Sequence, residues 1–306
     1  MEKLQKTTER TFVIGDEWLY YKLYCGPKTS DEVLTNAIKP LVDELIENNV
    51  IDKWFFIRYA DPKKHLRIRF HCCNQKSIST IINSVNTALK TYIDNDLIWK
   101  IQVDTYQREI ERYGENTIEL SEELFFYDSK LIVDMIDLIE GDEGETIRWL
   151  FALRAIDSLL DNFMFDEQQK LILLENLKDG FGREYGMNRA LKSQLDKKFR
   201  TERQSINDVM NKELDSQSKI KPLFELLKQK SSRIRYICIK ILNIEKRNML
   251  FRPLNDLMGS YIHMLMNRLF KSKQRLHEMV IYDFLYRYYK SEIAKNIYKP
   301  KLEKVL

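Results

Sequence analysis

Short aromatic-rich runs alternate with longer amphipathic stretches over the first hundred residues. Four runs rich in aromatic and β-branched residues predict strands at residues 18–25, 54–59, 65–72 and 97–106. Apolar positions at helical spacing predict two helices, one beginning near Ser30 or Asp31 and one over residues 76–93. The order β-α-β-β-α-β predicts a ferredoxin-like sheet, with helices on one face and the other face open unless another part of the chain covers it.

From residue 119 onward the apolar positions follow helical spacing. Helices are predicted near residues 120–140, 145–163, 166–179, 188–214, 219–243, 253–271 and 273–294. Residues 192–219 are highly charged, and we expect a protruding or mobile helix there. The fold class is therefore α+β, with a larger helical half packed on the open sheet face. The expected parts are an N-terminal tail, a ferredoxin-like part and a helical part, the last two forming one domain, at residues 1–17, 18–115 and 116–306.

The composition is that of a globular chain with nearly balanced charge. Its 306 residues include 50 basic and 46 acidic ones, a net charge of +4 that carries no nucleic-acid signature. Four cysteines without CxxC spacing and four scattered histidines predict reduced thiols and no metal site. No apolar run reaches the roughly 18 residues that span a bilayer. Because the sequence also starts without a signal peptide, we expect a cytoplasmic protein.

The third predicted strand carries the most distinctive chemistry. Strand side chains alternate between faces, so an apolar set shares one face, namely Leu66, Ile68 and Phe70. A basic set shares the other face, namely His65, Arg67, Arg69 and His71. Arginines are costly to bury without anionic partners. Two interpretations remain open: the arginines pair with carboxylates of the helical half or stay solvated, or they bind a carboxylate ligand through bidentate hydrogen bonds.

A second polar cluster directly follows the fourth predicted strand, at residues 106–114. Glu109 and Arg112 are three residues apart and share a face if this segment is helical. An exposed ion pair of little energetic value is the plain interpretation. The alternative is that the pair lies near the strand ends and belongs to a site.

A third feature is a narrow polar stripe on the mostly apolar helix predicted near residues 253–271. Its members fall at i, i+4, i+7 and i+11, namely Asp256, Ser260, His263 and Asn267. Such a stripe has to face partners or a cavity. His263 is then either a hydrogen-bonded core histidine, which is the commoner case, or an acid–base group that titrates near neutrality.

These three places also carry a resemblance to a known family. WFFIRYADPKKHLRIRF, DTYQREIERYG followed by ELFFYDSK, and GSYIHMLMNRLF are similar to ordered motifs of lantibiotic dehydratase C-terminal domains and thiopeptide-type bacteriocin biosynthesis proteins. The similarity runs from about Trp18 to Ile293, nearly the whole chain. One departure is Glu115, where the family usually has a second glycine after Gly114, and this puts the turn beside Arg112 in question.

The resemblance implies a lyase of lanthipeptide or thiopeptide biosynthesis. In full-length dehydratases an N-terminal domain esterifies peptide Ser or Thr with glutamate from glutamyl-tRNA, and the C-terminal domain eliminates that glutamate to leave dehydroalanine or dehydrobutyrine. This chain is similar to the second part alone, so we expect a stand-alone eliminase of a split dehydratase. The implied catalytic set is Arg67, Arg69, Glu109, Arg112 and His263. The arginines, together with His65, would bind the substrate glutamate and the enolate, His263 would be the acid–base group, and Glu109 would orient an arginine or transfer a proton.

Two other functions fit the same resemblance. Related thiopeptide enzymes form a pyridine by a formal [4+2] cycloaddition between two dehydroalanines, and a non-catalytic subunit that docks a glutamylating protein through residues 192–219 is the third possibility. The expected partners are a glutamylated precursor peptide, a separate glutamyl-tRNA-dependent glutamylation protein, a cyclase and a second copy of the chain. No cofactor and no direct contact with nucleic acid is expected. Association with a membrane would come only through a biosynthetic complex.

Overall fold

The main sheet has the strand order that the sequence pattern predicts. The computed structural model describes residues 8–139, 144–211 and 220–302. Its strands are β1 (Thr11–Phe12), β2 (Trp18–Cys25), β3 (Ile51–Ala60), β4 (Lys64–Cys72), β5 (Ile98–Asp104) and β6 (Tyr106–Gln107). Four of them form an antiparallel sheet in the order β3-β4-β2-β5, which is the ferredoxin-like order, and β1 pairs with β6. The α+β prediction is confirmed, whereas the β1–β6 pair was missed because two residues are too few to show a period.

Helices make up most of the chain. They are α1 (Pro27–Val33), α2 (Lys39–Glu47), α3 (Ser77–Asp94), α4 (Ile110–Tyr113), α5 (Ile118–Leu138), α6 (Gly144–Asn162), α7 (Glu167–Glu184), α8 (Arg189–Met210), α9 (Lys221–Lys246), α10 (Leu254–Leu269) and α11 (Gln274–Leu302), with a π-helical turn, Leu34–Ile38, between α1 and α2. Among the helices of the described ranges, none is long and apolar enough to cross a membrane.

Alternation along β4 gives the sheet two chemically different faces, as predicted. Leu66, Ile68 and Phe70 are at most 1% exposed and belong to the core that α1, α2 and α3 share with the sheet. The basic residues of β4 project from the other face, where Arg69 lies opposite Tyr20 on β2 and Phe55 on β3. The sheet therefore separates an apolar layer from a face that is both basic and aromatic.

The helical half covers one end of this basic face. Phe55 packs against Phe125 of α5 at 5.6 Å between ring centroids. Trp18 meets Tyr106 of β6 at 5.5 Å, and Tyr106 stacks on Phe12 of β1 at 5.7 Å. The small β1–β6 sheet and α5 thus close the face around Arg69.

Side chains of the helical half satisfy the outer backbone edge of β3. The amide of Phe56 donates to Ser129 Oγ on α5 over 3.1 Å. Asn267 of α10 accepts from the amide of Arg58 and donates to its carbonyl, both over 2.8 Å. An unpaired strand edge leaves backbone donors and acceptors without partners. The two hydrogen bonds between Asn267 and the backbone of Arg58, called the clasp below, satisfy this edge and hold α10 against the sheet.

A buried ion cluster completes the same junction. Arg58 of β3 and Arg148 of α6 both pair with Asp31 of α1, over 2.5 and 2.9 Å. Arg58 also donates to the carbonyl of Arg268, and Arg148 to that of Leu269, over 2.9 and 2.7 Å. These carbonyls end α10, where free acceptors and the negative end of the helix dipole favour cations.

The expected protruding helix is not found between residues 192 and 210. In this range α8 is an amphipathic helix that buries Leu195, Ile206, Val209 and Met210. It packs on α6 and α11, and Arg287 of α11 pairs with its Asp196. The few apolar residues suffice because they repeat on one face. Residues 212–219 of the charged segment lie outside the described residues.

Replacing Asn267 with alanine should weaken the junction between sheet and helices. The change removes three hydrogen bonds, two to the backbone of Arg58 and one to Gln274, and leaves an amide and a carbonyl of Arg58 without partners. We therefore expect a loss of about 1–3 kcal/mol in the free energy of unfolding. Urea unfolding followed by circular dichroism measures this loss. The exposed Asn86→Ala in α3 is the control and should not destabilise the protein. Equal stability of Asn267→Ala and the wild type would show that the clasp contributes nothing.

Candidate active site

Arg69 is a nearly buried cation without an anion. Its guanidinium carbon lies 4.4 Å from the ring centroid of Tyr20, 5.1 Å from that of Phe55 and 4.7 Å from that of Tyr106. Only 7% of the residue is exposed. Within the described ranges, Arg69 Nε and Nη1 have no hydrogen-bond partner, and no carboxylate lies within 4 Å of the guanidinium. Cation–π contacts with the three aromatic rings offset part of the desolvation cost of the guanidinium. A bound anion would offset the rest.

Arg268 adds a second buried cation to this region. It is 0% exposed and donates to Ser129 Oγ and to the carbonyl of Met264, whereas its Nη2 has no partner among the described residues. Burial, and to a smaller extent the positive charge of Arg69, lowers the pKa of Arg268 to about 10. Asp128, the nearby carboxylate that opposes this shift, already pairs with Lys230. The region therefore holds more positive than negative charge.

Tyr113 lies between the buried arginines and the turn that carries Arg112. It is 3% exposed, and its hydroxyl has no hydrogen-bond partner in the described part of the chain. Burial raises the pKa of Tyr113, while the charges of Arg112, Arg268 and Arg69 act in the opposite direction. All three cations therefore lie within electrostatic reach of this one hydroxyl.

Arg67 is held in place by neutral neighbours. Its guanidinium stacks on Tyr59 at 3.4 Å from the ring centroid, and its Nε donates to His65 Nε2 over 3.1 Å. His65 Nδ1 in turn lies 2.8 Å from the carbonyl of Lys63, so the proton of the neutral ring is on Nδ1. Burial, followed by the charges of Arg67 and Lys22, lowers the pKa of His65 and keeps the ring neutral. Among the described residues, the two terminal nitrogens of the Arg67 guanidinium have no hydrogen-bond partner, and Asp104 lies within electrostatic reach of this group.

The other basic member of the strand face has ordinary partners. His71 Nδ1 lies 2.6 Å from Asp52 Oδ1, and its Nε2 lies 3.8 Å from Glu17. The interpretation of paired side chains therefore fits His71. Arg67 is half-buried and thus partly solvated, whereas Arg69 is buried with no carboxylate within 4 Å among the described residues.

Arg112 reaches from the turn after β6 to the polar stripe of α10. Its Nε donates to Ser260 Oγ over 3.2 Å, and its Nη1 lies 3.4 Å from Glu109. Glu109 has a side chain that is 62% exposed, so the contact is weak on its own. The turn depends on Gly114, which has φ of 82°, and a Cβ there would lie 2.8 Å from Cβ of Phe251. Glu115 is exposed and has no such backbone requirement, so the loss of the second glycine is accommodated.

His263 has a buried carboxylate partner that sequence patterns did not identify. Its Nδ1 lies 2.8 Å from Glu278 Oε1 of α11, and Glu278 is 0% exposed. A carboxylate accepts hydrogen bonds, so the ring proton belongs on Nδ1 and Nε2 is left free. Glu278 is also within 3.4 Å of Arg275 and Tyr282. A glutamate among the apolar and aromatic residues of α11 was the only signal, and helical spacing alone does not give it a partner.

One cavity of about 410 Å³ lies beside His263 and Arg112. It is lined by Arg112, Ser260, His263, Asp256, Arg275 and Tyr282, among others. Three members of the predicted polar stripe thus face this cavity, whereas Asn267 binds the sheet edge. Arg67 and His65 stay on the strand face, and Tyr113 connects that face to Arg112. Within the described ranges, no group of His, Cys, Asp and Glu has the arrangement of a metal site.

One protein-family model matches most of the chain. The family model "Lantibiotic biosynthesis dehydratase C-term" matches residues 18–289. The subtilin biosynthesis protein SpaB of Bacillus subtilis is 24% identical over 273 residues, which is 87% of this chain and 25% of SpaB. The chain therefore spans about a quarter of the length of this relative.

Solved structures share the fold. The tRNA-dependent lantibiotic dehydratase MibB from Microbispora sp. 107891 superposes with a TM-score of 0.68 at 21% identity, over 93% of this chain and 29% of MibB. The pyridine synthase TbtD from thiomuracin biosynthesis has a TM-score of 0.63 at 10% identity, over 90% of this chain and 99% of TbtD. At such identities the likeness is one of fold alone, but the family match extends over most of the chain. The protein belongs to the family of lantibiotic dehydratase C-terminal domains.

Proposed function

We propose that this protein eliminates glutamate from glutamylated Ser and Thr residues of a ribosomal precursor peptide. The products are dehydroalanine or dehydrobutyrine and free glutamate. The observation that carries the proposal is Arg69, a buried guanidinium with no anionic partner among the described residues, in a region that also holds Arg268 and the two terminal nitrogens of Arg67. A leaving group with two carboxylates is the kind of ligand that such a surplus of positive charge favours.

The reaction needs a base and a stabilised leaving group. The proton on Cα of the esterified residue passes to a base, the Cα–Cβ double bond forms, and the Cβ–O bond breaks to release a carboxylate. His263 is the base in this proposal, because Glu278 holds the ring with Nε2 free beside the cavity. Arg112 lines the same cavity and would stabilise the enolate charge, while Glu109 orients Arg112 through their contact at 3.4 Å.

Arg69 and Arg67 would receive the glutamate carboxylates, because aromatic neighbours hold them on the basic face of β4 without occupying all their donors. Both ring nitrogens of His65 already have partners, so His65 would position Arg67 rather than bind the carboxylate itself. Positioning of this kind lowers the entropic cost of reaching the reacting geometry. Elimination itself involves no change of oxidation state, so we propose no cofactor.

The proposal implies partners of defined kinds. The glutamyl ester has to come from a glutamyl-tRNA-dependent protein or domain, and recognition of the tRNA belongs there. A precursor peptide is the substrate, and a cyclase would use the dehydrated product. A homodimer remains a prediction.

Arg69→Ala should lower the rate of glutamate elimination by about a hundredfold or more, because the leaving carboxylate would lose a preorganised cation. The assay uses a purified peptide that carries glutamyl-Ser and follows the loss of glutamic acid by mass spectrometry. The exposed Arg200→Ala in α8 controls for a change in net charge and should retain the wild-type rate.

Three outcomes would count against this assignment. A wild-type rate in Arg69→Ala would exclude Arg69 from the reaction. A wild-type protein that leaves the glutamyl peptide unchanged but releases the leader from an already dehydrated peptide would favour the cycloaddition. A protein inactive on both peptides would favour a docking subunit.

Glu278→Gln should lower kcat by about 10- to 100-fold and change KM little, because the amide no longer fixes the proton on Nδ1 of His263. His263→Ala should cost more, and adding Glu278→Gln to His263→Ala should cost little further, since the two residues act as a unit. Steady-state kinetics of the three variants measure this non-additivity. Fully additive losses, with thermal unfolding midpoints equal to wild type, would exclude Glu278 as a positioning residue for His263.

A further inference from the structure

A second, larger groove lies beside the His263 cavity. It has a volume of about 730 Å³ and is formed by the connection between α6 and α7, by α7, by the end of α9 and by the connection to α10. Most of its surface is apolar, with contributions from Phe163, Phe165, Ile172, Leu242 and Leu250. Its lining also includes Lys246 and Arg252 on the basic side and Glu245 on the acidic side, so the groove favours apolar groups with a neutral or acidic flank.

Large apolar side chains stay exposed around this groove. Met164 is 67% exposed, Ile172 45%, Met249 61% and Phe251 60%. Single exposed apolar residues are ordinary, but several that surround one groove mark a binding surface.

The groove wall is held in place by the turn that carries Arg112. Asn116 donates to the carbonyl of Met249 over 2.6 Å, and Arg252 donates to the carbonyl of Glu111 over 2.9 Å. Phe251 packs so closely on Gly114 that no side chain would fit there. Met164, on the opposite connection, has a backbone φ of 60°, a conformation that methionine rarely adopts. Hydrogen bonds to backbone carbonyls therefore hold the loop that carries Met249 and Phe251 in place.

The groove borders the His263 cavity. Asn255 lines both. On α7, Gln169 and Ile172 line the groove, and the next residues, Leu173 and Asn176, line the cavity. A chain whose reacting residue occupies the cavity would pass along the groove, since an extended peptide advances only about 3.3 Å per residue.

We propose that this groove binds the segment of the peptide substrate that flanks the reacting residue, through apolar side chains. The proposal rests on the proposed function for the identity of the occupant. It makes Ile172 and Met164, the two exposed apolar residues that line the groove, determinants of peptide binding, separate from the groups that act on the glutamyl ester.

The test compares two substrates that carry the same glutamyl-Ser. One is the single residue capped as N-acetyl amide, and the other is a peptide of about ten residues with Ile, Leu or Val on both sides of it. Ile172→Asp and Met164→Ser should raise KM for the long peptide about tenfold, leave its kcat within about twofold, and leave the capped residue unaffected. Trp99→Ser is the matched control, because Trp99 is 49% exposed on β5 and should affect neither substrate.

A binding experiment separates failure of the groove from failure of the proposed function. The same ten-residue peptide with unmodified serine and a fluorescent label is titrated with each protein, and its anisotropy is measured. Weaker binding by Ile172→Asp and Met164→Ser than by the wild type and Trp99→Ser supports the groove even if no protein eliminates glutamate. Equal KM and equal binding in all four proteins would overturn the proposal. So would a change in particle mass in sedimentation without a change in peptide binding, which would make the groove a self-association surface.

Discussion

The clasp between α10 and the outer edge of β3 is the interaction on which the geometry of the site depends. Asn267 binds both backbone groups of Arg58, and the Arg58 side chain holds the end of α10 through the carbonyl of Arg268. His263 lies one helical turn before Asn267 on the same helix. His263, the acid–base residue of the proposed reaction, therefore comes from one half of the molecule and the strand arginines from the other, and this junction helps to fix the distance between them.

The second constraint is electrostatic. Arg69 and Arg268 are both buried, and the nearby Asp128 is already paired with Lys230. Part of the desolvation cost of the two guanidinium groups therefore stays uncompensated. Aromatic faces around Arg69 reduce that cost without supplying a negative charge. For stability alone an apolar side chain would serve as well at such a position, and the buried cations are accounted for by the anionic ligand that we propose.

Sequence patterns predicted the sheet well because its periodicity is strong. The four main strands, the alternation of β4 and the polar stripe of α10 all follow from local spacing. The charged α8 was misjudged because a count of charges hides the few apolar residues that share one face. Glu278 was missed for a different reason: its role depends on a contact with His263, 15 positions away on another helix, and no local pattern reports such a contact.

The close packing of Phe251 on Gly114 has a consequence for how substrate scope can diverge in this family. The loop that forms the groove wall is seated on the Arg112 turn through Asn116, the carbonyl of Glu111 and the missing side chain at position 114. A loop exchanged between relatives would lose these contacts unless the turn were exchanged as well. If the groove binds peptide, an engineered change of peptide preference therefore requires that residues 110–117 and 247–253 be exchanged together.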